Sequence, residues 1–118
     1  MKITDETAKK IVRALKCYEV KESIKSFPEE ERDGRSDLDI IREEIEYFID
    51  MYEDGGTVFS EDLERSRRIL KATRNGKEIP LSIVSFRPLY SAEDIALAKN
   101  TVSEYKQLKR LQMKLKEV

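Results

Sequence analysis

From Leu38 to Tyr52 the chain repeats one pattern. Leu38, Ile41, Ile45, Phe48 and Tyr52 return every three or four residues, as neighbours on one side of an α-helix do. A strand cannot use that spacing, because its side chains change face at every residue. Asp39, Glu43, Glu46, Asp50 and Glu53 cover the opposite side. Ser36, with Asp39 three residues on, supplies a capping box, and Gly55-Gly56 supplies the stop. Such a helix is compatible with water on one face only, so the rest of the chain must cover the other.

The flanking sequence reads as further helices. Gly and Pro are scarce, at four and three residues, while Glu, Lys, Arg and Leu abound. Thr4 with Asp5 and Glu6 predicts a helix start, and Ala8, Ile11, Val12, Leu15 and Tyr18 share one face. Val20, Ile24 and Phe27 fall on another face, which predicts either a break near Glu19 or a helix clasped from two sides, ending at Phe27-Pro28. Residues 28–36 form a charged linker. Thr57-Val58-Phe59 reads as a connector, with Ser60 capping a helix that carries Leu63, Ser66, Ile69, Leu70 and Thr73 on one side. A hairpin turning at Asn75-Gly76 is the rival reading of that stretch. Residues 79–86 read as extended, and pairing with residues 57–60 would make a minimal β-ribbon.

Ser91 opens a last helix of roughly 26 residues, about 39 Å long. Ile95, Ala98, Val102 and Tyr105 make one seam on it. Leu108, Leu111, Leu115 and Val118 make a second, because three-residue steps at 105, 108 and 111 rotate the apolar face. The first half is therefore expected to pack on its own domain and the second to meet something else. The expected architecture is mainly α, one domain over 1–118, with about four helices and a short extended segment before a long C-terminal helix. Residues 106–118 are the expected association element, with Leu108, Leu111 and Leu115 as a homodimer seam.

Charge is sorted along the chain. Residues 29–64 hold fifteen Asp or Glu against three Arg, residues 65–118 thirteen Lys or Arg against five acids, and residues 1–28 seven bases against four acids. A net charge of −1 hides this polarity. Two faces follow. An acidic face of Asp39, Glu43, Glu46, Asp50, Glu53 and Asp54 suits a basic protein, or a groove built for nucleic-acid phosphates. A basic face of Arg67, Arg68, Lys71, Arg74, Lys106, Lys109, Arg110 and Lys114 suits a phosphate backbone, although the sequence pI of about 5.7 and the lack of a helix-turn-helix, zinc-finger or RNP pattern weigh against nucleic acid.

Catalytic chemistry finds little to work with. Histidine is absent, which removes His–Cys zinc sites, Ser-His-Asp and Cys-His catalysis. Cys17 is alone, favours a reducing compartment, and falls in an amphipathic stretch where a core thiol is expected. Met1 to Glu6 lack a signal-peptide core, and no apolar run reaches the roughly 18–20 residues of a membrane span. Glu43-x-x-Glu46 followed by Glu61-x-x-Glu64 resembles the paired carboxylates of all-α nucleotide pyrophosphohydrolases, which implies a Mg²⁺ held against phosphates; the second pair lacks the Asp of those motifs. Arg87-Pro-Leu-Tyr90-Ser91 through Asp94-Ile95 resembles the wing-to-dimerisation-helix junction of MerR-type regulators, one residue out of register and without a preceding recognition helix.

The expected protein is cytoplasmic, non-enzymatic and without cofactor or metal. It is expected to act as a regulatory, adaptor or inhibitor protein of the bacterial or phage accessory kind, binding another protein through its polarised surface. Nucleic-acid binding is the first alternative and a Mg²⁺-dependent phosphohydrolase the second.

Overall fold

The computed structural model describes residues 4–73 and 90–116, apart from the Asp5 side chain. Five α-helices run α1 Asp5–Ala14, α2 Tyr18–Lys25, α3 Asp37–Glu53, α4 Val58–Ala72 and α5 Ala92–Lys116, with one 3-10 turn at Glu29–Glu31. No strand occurs among the described residues. The mainly helical architecture with a long C-terminal helix is as expected, with five helices in place of about four.

The extra helix comes from the break in the first apolar pattern. Leu15 to Cys17 leave helical geometry, with the Leu15 N–H bonded to the Val12 carbonyl at 3.3 Å, and α2 restarts at Tyr18. The break lets Val12 of α1, Leu15 just after it, and Val20 and Ile24 of α2 join one cluster with the buried face of α3. Gln107 clamps it from outside, taking the Lys16 N–H at 2.7 Å and donating to the Ala14 carbonyl at 2.8 Å.

The caps are local and mostly as the sequence implies. Thr4 caps α1, Ser36 and Asp39 exchange hydrogen bonds at 3.2 and 3.3 Å to cap α3, and Ser91 and Asp94 do the same at 3.1 and 3.3 Å for α5. The α4 start differs. Thr57 is its cap and Ser60 its third residue: Thr57 Oγ1 accepts from the Ser60 N–H at 3.0 Å, and Ser60 Oγ accepts from the Thr57 N–H at 3.2 Å. Residues 57–60 are therefore not a connector and not a ribbon strand. Residues 79–86, the other half of that ribbon, lie outside the described residues.

Topology explains an elongated outline of 61 × 28 × 20 Å and a radius of gyration of 17.7 Å, against about 13 Å for a compact chain of this length. α3 runs antiparallel to the C-terminal half of α5: Arg42 bonds the Leu115 carbonyl at one end, and Tyr52 bonds Glu104 at the other. α4 runs antiparallel to the N-terminal half, with Leu63 and Arg67 beside Tyr105 and Ile69 beside Ala98. Gly56, at φ +90°, turns the chain between them. α3 and α4 thus lie nearly end to end along one backing helix, while α1 and α2 pack beside α5 on the inner side of α3.

The core sits at the α1–α3 end. Ile41, Ile45, Ile49 and Tyr52 meet Val20, Cys17, Leu108 and Leu115 there, and Ile40 is buried as well. The α3 stripe is wider than Leu38 to Tyr52 alone implies, because α1 and α2 flank α5 on it. Phe59 joins α4 to this core, edge-on to Phe48 at 5.5 Å and to Tyr52 at 5.2 Å.

Leu108 and Leu115 are 0% and 2% exposed, and Leu111 is half-buried against the same core. The expected homodimer seam is therefore spent inside the chain. The rotation at 105–111 turns α5 from α4 toward α3 and the α1–α2 junction.

Candidate partner-binding faces

The acidic residues of α3 divide into those used by the fold and those left to solvent. Asp39 closes the capping box and lies 3.9 Å from Arg42. Glu43 takes the Arg35 guanidinium, which also stands 5.6 Å over the Phe27 ring and so folds the 28–36 linker onto α3. Glu53 accepts the Tyr105 hydroxyl at 2.6 Å and the Lys109 ammonium at 3.2 Å. These two hydrogen bonds, Tyr105 first, hold the Glu53 carboxyl below the usual carboxylate range.

Glu46, Asp50 and Asp54 are exposed and form no ion pair among the described residues. Their four-residue spacing places them on successive turns of one stripe. Tyr47 stands in that stripe, 58% exposed, with its ring edge-on to Phe48 at 5.5 Å. An exposed aromatic braced from below and flanked by carboxylates costs little ordering when a partner covers it. Sequence spacing locates the acids; Tyr47 lies outside the apolar stripe of Leu38 to Tyr52, and only its exposure marks it.

The acidic and basic helices do not neutralise each other face to face. Among the described residues no ion pair joins α3 to α4; the two meet through Phe48, Tyr52 and Phe59. Only near the turn do their charges approach, where Arg67 lies 5.3 Å over the Tyr105 ring and its charge reaches Glu53.

The basic residues are not gathered. Arg68 and Lys71 are exposed on α4; Lys106, Arg110 and Lys114 are exposed along one stripe of the far half of α5; Lys109 is half-buried on Glu53. Ile69 lies by Ala98, so the two groups are centred about 18 Å apart along the α5 axis. Arg74 lies outside the described residues.

The paired carboxylates of the sequence also separate. Glu43 and Glu46 are on the outer side of α3, whereas Glu61 and Glu64 line a 520 Å³ cleft at the α3–α4 turn with Glu53, Arg67 and Tyr105. Among the described residues no group of three or more Cys, Asp or Glu is placed to hold a metal ion. The MerR-like junction lies partly outside the described residues; the Ser91–Asp94 part of it is the α5 cap.

One polar cluster is not visible in the sequence. Cys17, 0% exposed, donates to Glu19 at 3.4 Å and lies 3.9 Å from the Tyr52 hydroxyl, which donates to Glu104 at 3.5 Å. Burial pushes the Cys17 thiol and the Tyr52 hydroxyl up; burial first, and the Glu19 charge next, raises Glu104. A buried thiol held protonated is a poor nucleophile. Its four members come from α2, α3 and α5 and the break before α2, so only the folded chain brings them together.

Comparison with protein-family models, curated proteins and solved structures returns no match. No helix among the described residues is long and apolar enough to cross a membrane.

Proposed function

We propose that the protein is a non-enzymatic binding protein, regulatory or adaptor in role, that captures a macromolecule with a basic surface through the outer stripe of α3. Glu46, Asp50 and Asp54 supply the field and Tyr47 the contact. The observation that supports this most is that three carboxylates and an aromatic share one exposed stripe and, among the described residues, no cation pairs with those carboxylates. Carboxylates in such a row speed encounter with a cationic surface, and tyrosine is among the residue types enriched at energetic hot spots. The scattered cations of α4 and α5 give weaker support to a nucleic-acid role, because phosphate tracking works through contiguous charge.

The test uses defined probes. An oligo-arginine peptide should bind the protein with affinity that falls as salt rises, and Glu46→Lys with Asp50→Lys and Tyr47→Ala should abolish that binding at unchanged helix content by circular dichroism. Binding of random duplex DNA at low salt, with no binding of the peptide, would overturn the reading.

A further inference from the structure

A second surface, remote from the α3 stripe, carries the opposite charge and an apolar floor. Because α1 and α2 diverge from the break at Leu15–Cys17, they leave a cleft of about 380 Å³ where both meet α3. Ala8 and Val12 of α1, Ile24 of α2, and Ile40 and Ile41 of α3 line its floor. Ile40 is 1% exposed and stands outside the main core cluster, so it closes the base of this cleft from beneath.

The rim is cationic. Lys9, Arg13 and Lys25 are exposed around it, and Arg32 closes one side from the linker. Asp37 is the one carboxylate in the lining, and it is already bonded to Arg32. Among the described residues that line the cleft, Lys9, Arg13 and Lys25 therefore have no carboxylate partner. Arg32 is itself fixed, since Asp37 holds one nitrogen and Glu29 lies 3.7 Å from another. Long basic side chains suit this geometry: their methylene stems extend the apolar wall and their charged ends stay in water.

We propose that this cleft binds a small single-chain amphiphile with an anionic head, its tail on the Ile24–Ile40–Ile41 floor and its head among Lys9, Arg13 and Lys25. The volume lies at the small end of ligand sites, which fits one short chain and excludes a bulky fused-ring ligand. Charge complementarity selects the head: an amine would meet like charge, and a neutral alcohol would leave the cations unanswered. The site owes nothing to the acidic stripe of α3, so either can fail without the other.

Titration of the ¹⁵N-labelled protein with decanoate below its micelle concentration tests this. Amide shifts should concentrate at Ala8, Val12, Ile24 and Ile41. Decanol and acetate, the tail and the head alone, should each bind at least about tenfold more weakly, a difference of about 1.4 kcal/mol. Lys9→Glu with Lys25→Glu should weaken decanoate by a similar factor and leave decanol unchanged, and Arg13→Glu is the independent second variant. Arg68→Glu with Lys71→Glu, on α4, should change nothing. Equal binding of acetate, equal binding of decanol, or shifts spread away from these residues would each overturn the proposal. So would binding to phosphatidylglycerol vesicles with no response to decanoate, which would mark a membrane-surface charge effect in place of a ligand site.

Discussion

The two halves of α5 are packed by different means. The C-terminal half lies against α3 and the α1–α2 junction, where Ile45, Ile49, Leu108 and Leu115 are all but sealed from water. Among the described residues the N-terminal half lies against α4 only, through Ser66, Ile69 and Ala98, with a 160 Å³ cleft along the contact and Leu97 65% exposed beside it. One helix thus serves a thick core and a thin one. A three-sided setting encloses branched side chains, whereas a two-helix contact encloses only what lies between two cylinders.

That contrast is broken or kept by a pair of truncations. Ile49→Ala should cost about 3–4 kcal/mol in urea unfolding, because its side chain is enclosed by the core and borders none of the clefts described. Ile69→Ala should cost about 2 kcal/mol or less, since its site already borders a cleft. Equal losses would mean that the α4–α5 contact is as tight as the core. A smaller effect probes the joint between the halves: Thr57→Ala removes the α4 cap and should cost about 1 kcal/mol, read as a lowered midpoint at constant slope.

The smallest effects carry opposite signs. Glu104, on the inner side of α5, has its carboxyl raised by burial, so the native state favours the protonated form. Its cost is absent at low pH, develops as pH rises above the ordinary Glu value, and is complete above the raised one. Glu104→Gln should therefore stabilise the protein at pH 7 and have no effect in acid. Glu53, at the rim, is lowered by Tyr105 and Lys109. Its contribution is present above the ordinary Glu value and lost as pH falls through the lowered one, so Glu53→Gln should slightly destabilise at pH 7 and be neutral in acid. Matching signs for the two variants would refute the assigned causes.

Periodicity made α3 and its caps legible, because capping and amphipathic spacing act within a few residues. It failed at Thr57, where two capping residues three apart compete. Val58 and Phe59 look extended, and only the Thr57–Ser60 exchange of hydrogen bonds reveals the true first turn. It also failed on the leucines of α5. A rotating stripe states that the neighbour changes, not whether the new neighbour belongs to the same chain. The charge blocks were plain, yet which acids remain free was not: Asp39, Glu43 and Glu53 are claimed by groups near in space, two of them from other elements. The basic lean of residues 1–28 is equally plain, but that Lys9, Arg13 and Lys25 line one cleft shows only where α1 and α2 splay apart.

The end-to-end arrangement of α3 and α4 makes α5 a beam anchored on α3 at one half and carrying α4 on the other. Roughly 16 residues of it, about 24 Å, extend from the Tyr105–Gln107 anchorage toward Ala92. Tilting that anchorage by about 10° would swing the distal tip by about 4 Å. A ligand seated between α1 and α3 would thus gain leverage over a surface it never touches.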